Sequence, residues 1–463
     1  MLEKVFKAYD VRATVPDPLN ELVARRIGYG AGRLLLEEAQ AAGRTDEGGR
    51  RIVVGRDMRP HSPALAEALK AGLRSAGADV VDVGLVDTPF IYFAVNHLNA
   101  AGGIQTTASH NPIQYNGFKI SRFEARPVGM GSGLDRIQEY AEHHDGGGDL
   151  IGVETDMDLW EAYTAHVHRF LHPDLLSGTQ TIKVVVDASN GMAGTFMPRV
   201  FGDVPGLDIT PINFENDKGV FVHEPNPLVE ANLQQVRDGV VAEQAAVGIC
   251  FDGDADRCMV VDEMGMPVGC DLLTAWLATG FLAQEGGASI VFDLRSSHSV
   301  SEMIKEHGGV PHRSRVGHVF MKGKARETNA VFGGELSGHF YFRDNFFADS
   351  GAMAFAAVVS NLLDFDGTMS EAISPTKRYV QSGEINFETE DKQAAMEALV
   401  AAYPAAKTDT LDGVTVDLGE WWCNVRPSNT EPLLRLNLEG PDEGTVQGKV
   451  SEVSPLLGER VEE

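Results

Sequence analysis

Continuous apolar runs recur along the chain, and each ends in a polar turn that contains an aspartate. The clearest are RIVVGRDMR (51–59), IKVVVDASNG (182–191) and ASIVFDLRSS (288–297). Their β-branched residues predict strands that are buried on both faces. The stretches that follow, such as SPALAEALKAGLRSAG (62–77), carry apolar residues at three- and four-residue spacing. This second pattern predicts amphipathic helices.

Alternation of such strands and helices predicts α/β domains with mixed, mostly parallel sheets. The design recurs at intervals of about 110 to 130 residues, which is a domain length, so three related α/β domains are expected. Unrelated α/β units would share much of this pattern, and that alternative stays open here. From about residue 371 onward, segments such as RYVQSGEINFETED alternate apolar and polar residues, which predicts antiparallel strands in a smaller α+β domain. The predicted domains are 1–152, 153–265, 266–370 and 371–463.

Composition and charge exclude several classes of function for this chain. Of 463 residues 43% are hydrophobic and 23% charged, as in a folded protein with a large core. The formal net charge of −28 argues against non-specific binding of nucleic acid or of an anionic membrane. No secretory signal or membrane-spanning run is visible, and the four cysteines form no CxxC pair. We therefore expect reduced thiols and a cytoplasmic protein.

The segment VGICFDGDADRCMVVD (247–262) carries the sharpest chemical signal. An apolar strand delivers Asp252, Asp254 and Asp256 into one loop, with Arg257 next. Three carboxylates so close repel one another unless a cation neutralises them, which predicts a site for a hard divalent metal such as Mg²⁺. An EF-hand loop that began at Asp252 would place Gly at its sixth position, where this chain has Arg257, so a dedicated calcium loop is not expected. An exposed acidic turn is the remaining alternative.

Two further segments predict binding of an oxyanion and of a polyol. In VRPSNTEPLLR (425–435), one turn combines a guanidinium with hydroxyl and amide donors, the groups that bind phosphate. In GGELSGHFYF (333–342), Glu335, Ser337 and His339 would point to the same side if the segment is extended. Each segment, like TTASHNP (106–112), could also be an ordinary turn or strand end.

The motifs TTASHNP, DGDADR, GELSGH and RPSNTEP occur in that order, and with them the chain resembles the α-D-phosphohexomutase family, most closely its bacterial phosphomannomutase/phosphoglucomutase branch. The resemblance covers essentially the whole chain. It implies four domains around a central cleft, in the order phosphoserine loop, metal loop, sugar loop and phosphate-binding domain. It also implies that the first three domains share one topology and that the fourth is smaller.

The resemblance further implies a role for individual residues. The implied catalytic residues are Ser109, His110, Lys119, Arg257, His339 and Arg12. The implied substrate-binding residues are Tyr9, Arg295, His318, Glu335, Ser337, Arg426, Ser428, Asn429 and Thr430. The implied metal ligands are Ser109, Asp252, Asp254 and Asp256. Ser109 would carry the phosphoryl group, and Lys119 and His339 are the candidates for general acid/base work.

The implied activity is a Mg²⁺-dependent interconversion of hexose 1-phosphate and hexose 6-phosphate, on mannose and glucose phosphates. It passes through a phosphoserine and a hexose 1,6-bisphosphate. The expected partner is a small phosphosugar, with no nucleic acid and no membrane, and the protein is expected to be a monomer or homodimer. Phosphoglucosamine mutase is the nearest alternative, although its sugar loop usually has Gln where this chain has Leu336. A phosphosugar phosphatase and a binding protein are alternatives of another class.

Overall fold

A computed structural model describes residues 2–428 and 433–461, which form two compact units. Unit 1 contains the described residues up to 268 together with 337–372. Unit 2 contains 269–336 and the described residues from 373 onward. No helix in these described ranges is long and apolar enough to cross a bilayer.

The first sheet of unit 1 has the strand order β1-β5-β4-β2-β3-β7, with β6 paired to β5. Its strands are β1 (Val11–Thr14), β2 (Arg51–Arg56), β3 (Asp79–Leu85), β4 (Gly102–Thr106), β5 (Tyr115–Arg122), β6 (Arg126–Pro127) and β7 (Glu154–Asp156). The accompanying helices are α1 (Glu21–Ala41), α2 (Ser62–Ser75), α3 (Thr88–His97) and α4 (Leu134–Glu142). Helices α1 and α2 pack closely because Gly28 and Gly72 leave room for backbone of the other helix; a Cβ at either would overlap a carbonyl oxygen.

The second sheet of unit 1 has the strand order β12-β11-β10-β8-β9. Its strands are β8 (Ile182–Asp187), β9 (Leu207–Ile212), β10 (Val247–Phe251), β11 (Cys258–Val261) and β12 (Pro267–Val268). The helices of this region are α5 (Trp160–His168), α6 (Pro173–Ser177), α7 (Ala193–Val200) and α8 (Gln234–Glu243). Strand β10 is buried along its whole length, as its uninterrupted apolar sequence predicts. Cys250 and Cys258, at the two sides of the β10–β11 hairpin, are buried and not disulfide-bonded.

The third sheet begins in unit 2, where β13 lies between β14 and β15 and is parallel to both. The elements of this part are α9 (Cys270–Gln284), β13 (Ser289–Asp293), α10 (His298–Glu306), β14 (Val310–Ser314), α11 (His318–Thr328) and β15 (Phe332–Gly334). The chain then contributes further elements, chiefly to unit 1: β16 (Phe340–Phe342), β17 (Ala348–Asp349), α12 (Gly351–Asp364) and α13 (Met369–Ile373).

The fourth sheet, in unit 2, is antiparallel, with the order β19-β20-β21-β22-β18-β23. Its elements are β18 (Val380–Glu388), α14 (Lys392–Ala402), β19 (Lys407–Asp409), β20 (Val414–Asp417), β21 (Trp422–Pro427), β22 (Leu433–Gly440), α15 (Glu443–Leu457) and β23 (Glu459–Val461). Helices α14 and α15 pack together and cover the apolar face of the sheet, which has its own core. A sheet-rich fourth domain is therefore confirmed.

The first three sheets repeat one arrangement. In each, the first strand of the repeat (β2, β8 or β13) is parallel to both of the next two strands. An aspartate stands at the end of β8 (Asp187) and of β13 (Asp293) and directly after β2 (Asp57), and its carboxylate accepts the N–H of the residue two positions later. The predicted relation between three mixed, mostly parallel α/β domains is confirmed.

Candidate active site

The loop after β4 presents Ser109 to a buried group of carboxylates. Ser109 is 2% exposed, and its Oγ donates a hydrogen bond to Oδ2 of Asp252 at 2.9 Å. The same Oγ lies 3.2 Å from Nδ1 of His110. The backbone of Ser109 is left-handed, with φ at 49°, a conformation that disfavours residues with a Cβ. Surrounding contacts must therefore hold the serine in place.

Arg59 supplies those contacts. Its guanidinium is fully buried and lies against Asp57, with Nε 3.2 Å from Oδ2. Its remaining N–H groups donate to four carbonyl oxygens of the serine loop: those of Ser109 (2.8 Å), Asn111 (2.6 Å), Pro112 (2.8 Å) and Tyr115 (3.1 Å). Sequence analysis assigned no role to Arg59. Its position directly after a buried strand was the available signal.

Three carboxylates of the β10–β11 loop converge below Ser109. Asp252, Asp254 and Asp256 are buried, and one oxygen of each lies within 4.8 Å of the others. The left-handed backbone of Ala255, with φ at 60°, turns the chain between the last two. Burial and the neighbouring charges of Asp256 and Asp254 raise the pKa of Asp252 to about 8. A cation at this point would relieve the repulsion.

Lys119, on β5, supplies one such charge. Its Nζ lies 2.7 Å from Oδ2 of Asp254 and 2.5 Å from Oδ2 of Asp256. Burial opposes the charged ammonium, but the carboxylates outweigh it and raise the pKa of Lys119. Burial also opposes the charge of Asp256, yet Lys119 and His339 together lower the pKa of Asp256 well below its usual range. Lys119 is thus held as a cation by carboxylates.

The carboxylate oxygens of this cluster fit a hard divalent cation. Oδ1 of Asp254 is a buried acceptor without a hydrogen-bond partner among the described residues. Three converging carboxylates form the kind of ligand set that Mg²⁺ takes, with water or phosphate oxygens completing the coordination. The Oγ of Ser109 lies at the edge of this set.

Thr88 is a contact of the cluster that sequence analysis missed. Its Oγ1 donates to Oδ2 of Asp254 at 2.5 Å, and its N–H donates to the Asp254 carbonyl at 3.1 Å. Thr88 is the first residue of α3 and follows strand β3. Polar residues at the carboxyl ends of parallel strands are where open α/β folds place ligands, so its position in the sequence was a usable signal.

His339 reaches the same carboxylates from the chain just before β16. Its Nε2 lies 3.3 Å from Oδ1 of Asp256 and 3.8 Å from Asp349, and its Nδ1 lies 2.9 Å from Oγ of Ser337. Burial opposes protonation of His339, but Asp256 outweighs it and raises the histidine pKa. A backbone bridge pairs His339 with Arg257, whose N–H donates to Asp252 at 3.2 Å.

The extended conformation predicted for residues 333–342 is wrong. Strands cover only Phe332–Gly334 and Phe340–Phe342, and residues 336–338 form a turn and bend. Gly338 has a φ of 83°, which breaks the alternation that would have placed three side chains on one side. Glu335 belongs to unit 2, whereas Ser337 and His339 belong to unit 1.

The N-terminal segment reaches the serine loop through Arg12. Its Nη1 donates to Oδ1 of Asn111 at 2.6 Å, and it forms an ion pair with Asp10. Tyr9, in the same segment, is half-buried. The positive charge of Arg257, followed by burial, lowers the pKa of His110 well below its usual value, so this imidazole is neutral.

The remaining predicted residues lie in unit 2. Arg295 is 11% exposed, and its Nη2 donates to Oδ2 of Asp293 at 2.9 Å. Glu335 accepts the N–H of Gly317 at 2.8 Å, one residue before His318 begins α11.

The predicted phosphate cup is also in unit 2. Arg426, one residue before the end of β21, is buried, with Nη2 2.5 Å from Oε2 of Glu384. The N–H of Ser428 donates to the carbonyl of Leu433 at 2.8 Å. Asn429 and Thr430 lie outside the described residues.

Four sequence profiles of one protein family match successive parts of the chain. They are described as phosphoglucomutase/phosphomannomutase alpha/beta/alpha domain I at residues 3–142, domain II at 161–265, domain III at 271–379 and the C-terminal domain at 384–454.

Full-length relatives agree with these profiles. A protein of Xanthomonas campestris pv. campestris named "Phosphohexose mutases" is 37% identical over 98% of both chains. A phosphomannomutase of Escherichia coli is 36% identical, again over 98% of both. The crystal structure of a phosphoglucomutase/phosphomannomutase family protein from Burkholderia thailandensis superposes with a TM-score of 0.87, at 30% identity over 97% of both chains. The chain thus belongs to the phosphoglucomutase/phosphomannomutase family of α-D-phosphohexomutases, as its four ordered motifs predict.

Proposed function

We propose that the protein is a phosphohexomutase that interconverts the 1- and 6-phosphates of mannose and of glucose. The observation that carries this proposal is the contact between Oγ of Ser109 and Oδ2 of Asp252, because it joins a nucleophilic hydroxyl to a three-carboxylate cluster. Phosphoryl transfer depends mainly on positioning and on neutralisation of charge, and this cluster is suited to both. The relatives named phosphomannomutase and phosphohexose mutases support the same activity.

Asp252, Asp254 and Asp256 would hold Mg²⁺ together with Ser109. When bound, that ion would neutralise charge on the transferring phosphoryl group. The protein's own residues have separate tasks. Arg59 holds the serine loop in its left-handed conformation, and the Lys119 ammonium and the Arg257 guanidinium add positive charge beside the hydroxyl.

In the proposed reaction the phosphoryl group of phosphorylated Ser109 passes to the free hydroxyl of the hexose phosphate. The resulting 1,6-bisphosphate turns end for end and returns its other phosphate to the serine. In the first transfer the sugar hydroxyl loses a proton and Oγ of Ser109 gains one, and the return transfer reverses both movements. His110, neutral because of Arg257, lies 3.2 Å from that Oγ and can exchange a proton with it, and His339 and Lys119 are the candidates that exchange one with the sugar hydroxyl. Arg12, through Asn111, positions the same loop.

We assign the sugar and its unreacting phosphate to the remaining predicted residues. They are Tyr9, Arg295, His318, Glu335, Ser337, Arg426, Ser428, Asn429 and Thr430. The domain boundaries proposed for this organisation remain those predicted, after residues 152, 265 and 370. A cytoplasmic monomer or homodimer also remains a prediction.

The decisive experiment measures both the intact mass of the protein and its rate of mannose phosphate interconversion. Intact-mass measurement of the purified protein should reveal one added phosphate that Ser109→Ala removes. The same variant should lose interconversion of mannose 1-phosphate and mannose 6-phosphate, because the transferable group has no acceptor. A Ser109→Ala protein that still interconverts them would exclude the mechanism, and stoichiometric release of free phosphate by the wild type would favour a phosphatase.

Substrate preference distinguishes the proposed activity from that of a phosphoglucosamine mutase. Rates on mannose, glucose and glucosamine 1-phosphates, each saturated with the corresponding 1,6-bisphosphate, should be highest for the first two. Fastest turnover of glucosamine 1-phosphate would favour phosphoglucosamine mutase and contradict this assignment.

A further inference from the structure

Three arginines of unit 2 surround one glutamate. Oε2 of Glu384 lies 2.5 Å from Nη2 of Arg426 and 3.7 Å from Nη1 of Arg295, and Oε1 lies 3.0 Å from Nη1 of Arg435. Through these contacts Glu384 and Arg435 extend the predicted phosphate cup around Arg426.

The strands bring these charges together. Arg426 on β21 is directly opposite Arg435 on β22, an arrangement in which like charges repel. Arg426 is only 2% exposed, and its Nε is a buried donor without a hydrogen-bond partner among the described residues. Burial, together with Arg295, lowers the pKa of Arg426, which reflects the cost of placing several guanidinium groups side by side. A carboxylate between them offsets that cost.

A β-bulge aims the carboxylate at the arginines. The pairing of β18 with β22 shifts register between Gln381 and Glu384, and Gly383 within the shift has a φ of 69°. The Oγ of Ser382 accepts the N–H of Leu438 at 3.0 Å and so anchors the bulge. Bulges commonly redirect one side chain out of the regular alternation. The side chain of Glu384 keeps 26% of its surface exposed, so solvent and ligands can reach it.

We infer that Glu384 is a positioning residue that competes with the substrate phosphate for Arg426 and Arg435, and thereby limits how tightly the cup binds. This inference rests on the proposed function. Counted with Asp293, which pairs with Arg295, three guanidinium groups and two carboxylates carry a net charge of +1. Without the Glu384 carboxylate the net charge would be +2, which a phosphate dianion would neutralise.

Limited affinity suits a reaction in which the bisphosphate must leave the cup and return with its other end. Differences in affinity among closely related complexes arise mainly from dissociation rates. A cup without Glu384 would release the intermediate more slowly, and release steps commonly limit turnover. Glu384 therefore weakens binding of the phosphate and so allows the bisphosphate to reorient faster.

The test is Glu384→Gln, which keeps the shape of the side chain and removes its charge. In a Ser109→Ala background, where turnover is absent, calorimetric titration at pH 8 would use inorganic phosphate and mannose 1-phosphate as separate probes. We expect Kd for both to fall about tenfold, because one unit of negative charge near the guanidinium groups is lost. With Ser109 intact, kcat and KM should fall together.

Glu388→Gln is the matched control, because Glu388 lies on the same strand and makes no described ion pair. It should leave both Kd values unchanged. Glu384→Asp keeps the charge on a shorter side chain and should restore Kd toward the parent value. Thermal melting of each variant checks folding.

An unchanged or weaker Kd in Glu384→Gln would overturn the inference, because Glu384 would then be a passive support for Arg426. Failure of the Ser109→Ala parent to bind inorganic phosphate would also overturn it, since no cup would exist. Binding of inorganic phosphate without mannose 1-phosphate would contradict the proposed function instead, while the response of the phosphate Kd to Glu384→Gln would still decide the inference.

Discussion

The turns after β2 and β13 share one hydrogen-bond pattern but use it differently. In the first, Asp57 accepts the backbone N–H of Arg59 at 3.0 Å, and in the second, Asp293 accepts that of Arg295 at 2.8 Å. Both arginines also fold back onto their aspartates through Nε, at 3.2 Å. The two turns differ in what the terminal nitrogens of the two guanidinium groups contact.

Arg59 is fully buried and bonds to four carbonyl oxygens of the serine loop, so it has no donor left for a ligand. Arg295 remains 11% exposed, and its Nη1 lies 3.7 Å from Oε2 of Glu384. The same turn therefore buries the arginine as a scaffold in one domain and leaves it partly exposed in another, as the proposed substrate-binding role of Arg295 requires. In the second domain the turn after β8 has Ser189 at the equivalent position, without a guanidinium.

The largest expected effect comes from Arg59→Lys. An ammonium cannot span four carbonyl oxygens, and several would be left buried without a donor. We expect a loss of about a hundredfold in kcat, since a small displacement of a reacting group has effects of that size. Steady-state kinetics with mannose 1-phosphate measures it. Phosphorylation of Ser109, followed by intact mass, should also slow, and thermal melting of the variant separates loss of loop geometry from a general loss of folding.

Arg295→Lys, the same substitution in the other turn, should have a smaller and different effect. If Arg295 faces the ligand, KM should rise about fivefold with kcat nearly unchanged, as expected when one charged contact is weakened. Thermal stability should change less than in Arg59→Lys, because fewer buried acceptors lose a donor. Equal losses of kcat in the two variants would contradict the distinction between scaffold and ligand-facing arginine.

The smallest expected effect is a difference in pH dependence between the two aspartates. Burial raises the pKa of Asp57 despite Arg59, whereas for Asp293 the charge of Arg295 outweighs burial and lowers the pKa. The stabilising contribution of Asp293 is therefore present above the ordinary carboxyl pKa and is lost as the pH falls below about 4. The contribution of Asp57 has the opposite sign, since it is present at low pH and is lost as the pH rises through the raised pKa.

Urea unfolding midpoints of Asp57→Asn, Asp293→Asn and wild type, compared at about pH 7 and about pH 4, check this sign. The deficit of Asp293→Asn relative to wild type should shrink toward acid, and that of Asp57→Asn should grow. Parallel changes in the two variants would show that Arg59 and Arg295 act on their aspartates in the same way.

Sequence patterns predicted the strands and the site residues that are adjacent to them. The uninterrupted apolar runs of β2, β8 and β13 identify buried parallel strands, and the acidic loop after β10 is evident from three aspartates at two-residue spacing. Both signals are local, because they depend only on neighbours along the chain.

Features that depend on distant backbone were not predictable. The role of Arg59 depends on carbonyl oxygens some fifty residues away, and a carbonyl has no signature in a sequence. The turn at Gly338 replaced an expected strand because a single left-handed glycine breaks a two-residue period. Glu384 is directed by a bulge, and the residue pattern QSGE does not by itself place an extra residue in the pairing of two strands.

The alkylation rate of the two thiols on the β10–β11 hairpin reports how often its strands separate. Cys250 and Cys258 are buried, so an alkylating reagent cannot reach either sulfur while the strands stay paired. Burial also raises the pKa of Cys250 well above its ordinary value, which disfavours the reactive thiolate. Their labelling rate under native conditions would therefore count how often the hairpin separates. Slower labelling in the presence of a divalent cation would be a readout of metal binding that needs no turnover.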